Sequence, residues 1–510
     1  MRHRRLSVVL DLELAWRRVK QDQYDDFVPD VVEFRDVEQC KTTVLSDIEQ
    51  ALDRGYIPVE LLRIDAPKKG YTLRPCTYMT VEDRIVYQAV VDHISCCVEE
   101  PPADCVFGYR LNNDMKSKYM FKFWKEVWLE GRKKMRNIYE NGYRCLLRTD
   151  ITAYFEQIDH RILRNQILDA QVKDKRVLDL LNTLLHKWAI SDTRIGIPQG
   201  YDASSFLGNL YLINLDKIMS RQGLRYFRYS DEIYVLTMDE PDARRAIKLI
   251  TQQLRALHLN LQEAKTEIIT APERITKEIG SDDEDKRRDF DYQFIRKVQR
   301  DEIEEVEEAE DEIVKQYKKV TGNGKAKKVE ISDLKWCVNK LRRLKNDKAA
   351  QFMLKSFTRM PVLADLCFEY LQLFINRERI KEGIVNFLDS TNNIYEWQEM
   401  WLLLTLSKAR RLRNIQLDVL RGIIRNSSKA IVSRGAAILV LGKLGDSTDR
   451  KWLVDLYQNE DNSYIKRAIA VSVYGMPKAA RNAFYSSIQD DSPAMMRLVQ
   501  YLKRDHIETI

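Results

Sequence analysis

The feature that most restricts the fold of this chain is a set of strand-like runs arranged around acidic residues. An apolar run from Cys145 to Leu147 leads to Asp150, and two further runs flank a short turn that contains Asp231 and Glu232. Strand-like runs on both sides of a tight polar turn are typical of a β-hairpin. We therefore expect two adjacent carboxylates at a hairpin tip and a third at the end of a strand. Carboxylates left together repel one another, so the pattern favours a bound cation.

Mg²⁺ is the cation that such a site favours, with Mn²⁺ as the alternative. Mg²⁺ prefers hard carboxylate oxygens and keeps coordination positions open for phosphate. Two such ions can activate a hydroxyl and stabilise a leaving pyrophosphate. For Asp150 taken alone, a helix cap or a turn is the simpler interpretation.

Composition excludes several classes of protein. The chain has 510 residues, of which 44% are hydrophobic, enough for two or three domains with real cores. No apolar run approaches the ~20 residues of a membrane helix, and the basic N-terminus does not fit a secretory signal. The eight cysteines contain no C-x-x-C pair, which disfavours a zinc site and fits a reducing cytoplasm. The net charge of +7 is only a weak indication of a polyanionic partner.

The composition changes along the chain, and it predicts four regions. Residues 1–60 are expected to form an N-terminal helical extension, and residues 61–278 a mixed α+β core. Residues 279–330 are dominated by charge and predict an exposed helical linker that ends in a turn at 322–324. Residues 331–510 consist of successive helical patterns.

The C-terminal region contains a weak repeat. Apolar segments at 399–408, 433–445, 465–475 and 493–504 start about 28–34 residues apart. This spacing predicts an all-α, HEAT-like array of stacked helices, in which each unit buries its apolar face against the next. An ordinary helical bundle would give a similar period and is the alternative.

Two more segments complete the set of motifs. Residues 196–216 combine a Gly–Pro bend, which includes Gln199 and Gly200, with a helix of regular leucine spacing. A turn with Asn260 then precedes Lys265 and Thr266. In their order along the chain and in their residues, these segments resemble reverse transcriptases. The resemblance covers about residues 60–270. It includes 81–89 as the fingers motif, 107–110 as a short aromatic–Gly–Arg element, 150–155 as the first palm motif, 196–216, and 229–232 as the Y-x-D-D box.

The resemblance implies a right-hand polymerase fingers–palm core with an antiparallel palm sheet. It implies that Asp150, Asp231 and Glu232 hold the metal ions and that Lys265 protonates the leaving pyrophosphate or balances its charge. Phe155 would be the steric gate that favours deoxynucleotides. The residues implied to contact the incoming nucleotide are Lys69, Arg74, Phe155, Gln199 and Gly200.

This chain departs from the family at the second acid of the Y-x-D-D box, which is Glu232. The extra methylene moves the carboxylate by about one C–C bond, whereas metal–ligand distances tolerate only ~0.2 Å. The charge is retained, so we expect altered rather than lost catalysis.

A reverse transcriptase followed by a helical region resembles the bacterial abortive-infection and unknown-group defence enzymes. This implies an antiphage, bacterial cytoplasmic DNA polymerase that consumes dNTPs and makes single-stranded DNA without a conventional primer. It also implies a homo-oligomer, an unknown phage trigger and no membrane association. A noncoding RNA is a further partner found in some relatives. Where DNA is attached to a tyrosine, the candidates here are Tyr24, Tyr56, Tyr370, Tyr395, Tyr457 and Tyr464.

A basic cluster in the helical region offers a nucleic-acid contact. It contains Lys408, Arg410, Arg411 and Arg413, and phosphate attraction favours such a cluster modestly over a solvated helix face. Two other functions stay open. One is a retron-like or intron-type enzyme that copies its own RNA, and the other is a weakly catalytic nucleic-acid sensor with a helical partner platform.

Overall fold

The structure, a computed structural model, describes residues 5–98, 104–172, 174–190, 193–280, 303–322 and 329–504. Two compact units divide the chain. The first comprises Met1–Asp26, Lys41–Leu62 and Thr77–Asp289, and the second comprises Phe27–Cys40, Arg63–Cys76 and Phe290–Ile510. Most of the predicted linker lies outside the described residues, as does most of the predicted turn at 322–324. The four predicted domain ranges stay a prediction.

The first unit is built from helices around one antiparallel sheet. Its helices are α1 (Leu6–Val9), α2 (Leu12–Asp22), α4 (Lys41–Arg54), α5 (Val81–Ser95), α6 (Trp124–Glu140), α7 (His160–Asp169), α8 (Lys175–Trp188), α9 (Asp202–Tyr211), α10 (Ile213–Arg221), α11 (Glu240–Ala256) and α12 (Pro272–Ile279). The strands are β3 (Cys145–Asp150), β4 (Arg225–Tyr229), β5 (Glu232–Thr237) and β6 (Glu267–Ile269), in the order β4-β5-β3-β6. The α+β class and the antiparallel sheet agree with the sequence.

The sheet is covered on both faces. On β3 and β5, successive side chains point to opposite faces, yet Leu146, Leu147, Val235 and Leu236 are all buried. One face packs against α6 and α12 in a cluster that includes Leu146 and Leu236. Helix α11 also packs on β3 and β5. The acidic ends of the strands are therefore fixed at the edge of a packed core.

A separate two-stranded sheet pairs β1 (Leu62–Pro67) with β2 (Leu73–Tyr78). In its described residues, the second unit is otherwise helical. Its helices are α3 (Arg35–Gln39), α13 (Ile303–Thr321), α14 (Ile331–Arg343), α15 (Ala350–Ser356), α16 (Ala364–Leu371), α17 (Glu378–Leu388), α18 (Glu396–Ser407), α19 (Asn414–Arg425), α20 (Ile431–Leu444), α21 (Ser447–Gln458), α22 (Ser463–Ser472), α23 (Lys478–Ile488) and α24 (Pro493–Leu502).

Alternate helices pack on one another along this region. Helix α14 contacts α16, which contacts α18, and the sequence of contacts continues through α20 and α22 to α24. Helices α18 and α20 are buried nearly all round, as expected for helices enclosed by neighbours. The stacking agrees with the spacing found in the sequence, whereas membership of the HEAT-like class stays a prediction. In the part of the chain that the structure describes, no helix has the length and apolar character needed to span a membrane.

Candidate active site

The predicted acids meet where β3 and the β4–β5 hairpin end. Asp150, the last residue of β3, lies directly opposite Glu232, the first residue of β5. Asp231 lies in the turn before Glu232, and its carbonyl oxygen accepts a hydrogen bond from the backbone N–H of Ile151 at 3.1 Å. The turn requires Ser230 to adopt a left-handed φ of 55°. The sheet register therefore brings three carboxylate-bearing residues to one place.

Lys265 balances part of this negative charge. Its Nζ lies 2.7 Å from Oδ2 of Asp150. The short strand β6 pairs with β3 and holds the preceding turn in place, and Gln262 N–H donates to the carbonyl of Asp150 at 2.7 Å. A cavity of ≈ 450 Å³ next to this contact is lined by Arg148, Lys265 and Thr266 among others. This cavity offers cationic and hydroxyl groups to an anion.

In the described part of the chain, the Asp231 carboxylate forms no ion pair, although the charge of Lys265 acts on it. Burial raises the pKa of Asp231, and the charge of neighbouring Asp150 raises it further. Two close carboxylates, one of them partly desolvated, fit a divalent cation as their missing partner. The Glu232 carboxylate accepts a hydrogen bond from the hydroxyl of Tyr234 at 3.1 Å. Among the described residues, no set of three or more His, Cys, Asp or Glu side chains is already gathered in a metal-binding arrangement. Carboxylate oxygens are the donors that Mg²⁺ prefers, so the residue types fit this ion. The metal roles of Asp150, Asp231 and Glu232 stay predictions.

The predicted nucleotide-binding loop runs beside the segment that contains Phe155. Ile197 N–H donates to the carbonyl of Phe155, and Gly196 N–H donates to that of Ile158, each at 2.9 Å. Gly200 has a φ of +94°, a conformation that favours glycine. Gln199 follows this backbone contact, and its Nε2 lies 3.5 Å from Oε1 of Glu156. The structure thus places Phe155, Gln199 and Gly200 in one region.

Close packing also fixes the ring of Phe155. It lies 5.3 Å from the ring of Tyr154, centroid to centroid. A Cβ at Gly208 would approach both rings to 3.2 Å. The glycine therefore leaves room for the half-buried aromatic residue that the resemblance makes the steric gate.

Sequence reasoning missed a buried polar network behind the hairpin. Arg228 forms an ion pair with Asp216 at 2.6 Å, and neither side chain is exposed. Its guanidinium also donates to Oδ1 of Asn209 at 2.9 Å and to the carbonyl of Ser230 at 2.8 Å. Asn209 in turn donates to the carbonyl of Gly108 at 2.7 Å. An arginine inside an otherwise apolar strand was the available signal, because buried arginines are nearly always paired.

Gly108 completes this network through close backbone contact. A Cβ on Gly108 would lie 2.7 Å from the backbone nitrogen of Ser230. The aromatic–Gly–Arg element predicted at 107–110 therefore packs directly against the turn that precedes Asp231.

Lys69 and Arg74 belong to the second unit. Lys69 forms an ion pair with Glu330 at 3.0 Å, and the guanidinium of Arg74 lies 5.8 Å from the ring centroid of Phe27. Their predicted contact with a triphosphate stays a prediction.

Only part of the basic cluster predicted at 408–413 is available for contact with phosphate. Arg413 pairs with Glu378 at 3.0 Å and with Glu382 at 2.6 Å. Burial lowers the pKa of Lys408, and nearby Lys443 lowers it further. Arg410 and Arg411 are exposed. Of the four predicted residues, these two best fit a phosphate contact.

Three of the six candidate priming tyrosines donate their hydroxyl groups in hydrogen bonds to other residues. Tyr56 donates to Asp83 at 2.7 Å, Tyr370 to the carbonyl of Asn346 at 2.6 Å, and Tyr457 to Asp491 at 2.7 Å. Burial raises the pKa of Tyr464, and Tyr395 is half-buried. Tyr24 is 78% exposed. It is the candidate whose position best suits modification.

Comparison with known proteins agrees with this palm-like arrangement of acids on an antiparallel sheet. The Reverse transcriptase (RNA-dependent DNA polymerase) family matches residues 66–329, just over half of the chain. The chain belongs to this family.

Curated relatives match the same part of the chain. The Group II intron-encoded protein LtrA of Lactococcus lactis subsp. cremoris is 25% identical over 239 residues, which cover 44% of this chain and 37% of that protein. The Putative COX1/OXI3 intron 2 protein of Saccharomyces cerevisiae is 26% identical over 150 residues, which cover 28% of this chain and 16% of that protein. The chain thus spans well under half the length of either relative.

Among solved structures, apo telomerase from Candida tropicalis aligns with 90% of this chain and 74% of that chain, at 10% identity and a TM-score of 0.33. A score this low adds nothing to the fold assignment.

Proposed function

We propose that this protein is a bacterial antiphage DNA polymerase of the reverse-transcriptase family that adds deoxynucleotides to a single-stranded product. The observation that carries the proposal is the sheet register, which sets Asp150 opposite Glu232 and next to the turn that contains Asp231, with Lys265 2.7 Å from Asp150. The three carboxylates would hold Mg²⁺, or Mn²⁺, which when bound supplies charge neutralisation and activation of the attacking hydroxyl.

The chain's own groups account for the remaining chemistry. Asp150 and Asp231 bring negative charge to one point and position the cation. The ammonium of Lys265 neutralises charge on the leaving pyrophosphate or donates a proton to it. Phe155 would exclude a ribonucleotide by contact with its 2′-hydroxyl, and Gln199 with Gly200 would line the nucleotide site.

Support for the defence function comes from the region after the polymerase core. In 331–504 the described helices stack in alternation, which fits a defence-type reverse transcriptase better than a compact basic thumb. A protein-primed, template-independent reaction from Tyr24 is the version of this function that we favour, since that hydroxyl is accessible. Homo-oligomer formation, a phage trigger and a cytoplasmic site of action belong to the same proposal.

The second candidate is an RNA-templated retroelement enzyme. It is favoured by the two relatives described above, whose names connect them with introns. A noncoding RNA that co-purifies and serves as template would distinguish it.

A labelling experiment tests the proposed function. The purified protein is incubated with each labelled dNTP or NTP and Mg²⁺ or Mn²⁺, with and without template, primer and RNase treatment. Label that stays with the protein until protease digestion, and that Tyr24→Phe abolishes, supports protein priming. Activity that requires an annealed primer–template supports the retroelement function. No incorporation under any condition would favour a nucleic-acid sensor with altered chemistry at Glu232.

The site assignment has its own variants. Asp150→Asn and Asp231→Asn should each reduce incorporation by more than about a hundredfold, because each removes a carboxylate from the cation. Asp169→Asn changes an exposed acid and serves as the matched control. Full activity in the double variant Asp150→Asn/Asp231→Asn would show that the site lies elsewhere.

A further inference from the structure

The segment that leads into α6 exposes large aromatic side chains within a few residues of one another. Tyr119 is 53% exposed, Phe123 is 55% exposed and Trp124 is 54% exposed. A single exposed aromatic residue is common, whereas several that adjoin one another indicate a surface that binds something. Phe123 and Trp124 form one unit, since their ring centroids are 6.3 Å apart.

Lysines accompany these rings. Lys118 lies 5.0 Å from the ring centroid of Tyr119, and Lys125 lies 5.5 Å from that of Trp124. Lys122 stands between them in the sequence. Within the described ranges, no carboxylate forms an ion pair with any of the three lysines, so their charge is uncompensated there. Exposed aromatic faces with unpaired cations beside them are the combination that binds single-stranded nucleic acid.

This surface is connected to the candidate active site through aromatic contacts. Tyr229, two residues before Asp231, lies edge-on to Trp128 with ring centroids 5.3 Å apart. Trp124 precedes Trp128 by one turn of α6, so the two side chains are neighbours on one helix face. From the hairpin, the line of rings therefore runs outward from Tyr229 to Trp124.

A second set of aromatic contacts also connects this surface to the hairpin. Phe121 and Tyr109 have ring centroids 5.3 Å apart, and Tyr109 lies 6.3 Å from Tyr229. Backbone hydrogen bonds fix the segment, since Lys122 N–H donates to the carbonyl of Arg110 at 2.8 Å. The exposed rings are thus mounted on ordered backbone beside the hairpin.

We propose that residues 118–125 form a platform that binds the single-stranded DNA leaving the active site. Bases stack on Phe123 and Trp124, and Lys118, Lys122 and Lys125 contact the phosphates. A single strand fits better than a duplex, because a duplex keeps its base faces stacked inside and cannot offer them to the rings. Only the identification of the strand as DNA product rests on the proposed function. The rings and cations themselves define a single-strand site.

Fluorescence anisotropy with a labelled dT20 oligonucleotide tests the platform. The double variant Phe123→Ala/Trp124→Ala should weaken binding by about tenfold or more, because bases can no longer stack on the two rings. The lysine variant Lys118→Gln/Lys122→Gln/Lys125→Gln should reduce the slope of log Kd against log salt by about 2. A blunt duplex should bind the wild type and the aromatic variant alike.

Matched controls use exposed residues elsewhere in the first unit. Ile57→Ala removes an apolar side chain that is 85% exposed, and Lys248→Gln removes an exposed lysine of α11. Both should bind dT20 as the wild type does. Thermal unfolding of every variant shows whether it folds, and Trp124→Ala alone serves if the double variant is unstable.

Two results would overturn the inference. One is dT20 affinity in the folded aromatic variant that stays within twofold of the controls. The other is a loss confined to rU20, which would assign the platform to an RNA strand. Failure of the proposed function would be a different observation. A protein that binds dT20 through this platform but incorporates no nucleotide would support the binding site and contradict the proposed polymerase activity.

Discussion

At the residue scale, one buried ion pair governs the geometry of the hairpin tip. Arg228 lies on β4 and reaches Asp216 of α10, Asn209 of α9 and the carbonyl of Ser230. Burying a charge costs several kcal/mol unless geometry and hydrogen bonds compensate for it. Here a bidentate contact and the extra acceptors provide that compensation. Arg228 is therefore a positioning residue for Asp231, although it does not itself touch the reacting groups.

The first prediction concerns this arginine. Arg228→Lys keeps the charge but loses the planar fork, so the turn before Asp231 is held less firmly. We expect the rate of incorporation to fall at least tenfold with little change in the KM for dNTP. Steady-state kinetics measure both quantities. Arg176→Lys, in a surface pair with Asp174 at 2.7 Å, should be indistinguishable from the wild type. A variant in which only KM changes would contradict a positioning role.

A second residue-scale prediction follows from the raised pKa of Asp231, caused by burial and by the charge of Asp150. A carboxyl group whose pKa is raised by folding destabilises the folded state at pH values above it. Asp231→Asn should therefore increase the free energy of unfolding in EDTA at pH 8 by about 1 kcal/mol, or roughly 2 °C in Tm. Differential scanning calorimetry would measure the shift.

Mg²⁺ should reverse this difference. At a concentration of 100 times Kd it stabilises the wild type by about 2.7 kcal/mol and leaves the variant nearly unchanged. If Mg²⁺ stabilises both proteins equally, Asp231 does not bind it.

At the element scale, α5 organises the first unit. Nearly all of its side chains are buried, and it packs against α2, α8 and α9. Such a helix must satisfy its polar groups internally. Arg84 does so with Asp22 at 2.8 Å and Asp26 at 2.6 Å, and Arg18 of α2 pairs with Asp92 at 2.5 Å. The ion pairs of this helix therefore determine which elements can pack against it.

Asp83, at the start of α5, gives the third prediction. It accepts hydrogen bonds from the hydroxyl of Tyr56 at 2.7 Å and from the N–H of Val59 at 2.9 Å. Burial raises the pKa of Asp83 to about 6. Because the folded state holds the proton more tightly than the unfolded state, this group's contribution to stability is present below pH ~4 and is lost as the pH rises to ~6.

Asp83→Asn should remove that pH dependence, which amounts to at most about 3 kcal/mol. Urea unfolding at pH 4.5 and pH 7 measures it as the difference between variant and wild type. Asp169→Asn, an exposed acid on α7, controls for general charge effects. An unchanged pH profile in Asp83→Asn would show that another group titrates.

At the scale of the whole molecule, segments far apart in sequence fold together. Residues 27–40 belong to the second unit with the C-terminal helices. Arg467 of α22 pairs with Asp30 at 3.2 Å and with Asp36 at 2.9 Å, and both carboxylates are nearly fully buried. Trp397 also donates to the carbonyl of Phe27 at 2.9 Å. The N-terminal segment is thus a structural part of the helical unit.

The fourth prediction tests this arrangement. Arg467→Ala leaves Asp30 and Asp36 buried without their cation, which should destabilise the second unit by about 3–5 kcal/mol. Lys466→Ala, next to it, removes a partly exposed pair with Asp491 at 3.8 Å and should cost under ~1 kcal/mol. Thermal unfolding compares the two. Equal losses would mean that the buried pairs contribute no more than the exposed one.

The sequence by itself determined the elements that carry the candidate site. Alternating and apolar runs predicted β3 and the β4–β5 hairpin, and acids at their ends predicted the site, because strand ends and tight turns are local properties of the chain. The sequence also predicted the stacked helices after residue 331, because helical periodicity is a local property that repeats along the chain.

Only the tertiary structure decided which polar residues support these elements. The network from Asp216 through Arg228 to Gly108, the joining of residues 27–40 to the C-terminal helices, and the line of rings from Tyr229 to Trp124 all connect positions far apart in the chain. Such contacts depend on how helices and strands pack, and packing pairs side chains whose separation in sequence has no fixed period. The sequence therefore predicted the candidate acids, while the packed molecule specified what holds them and what surface lies beside them.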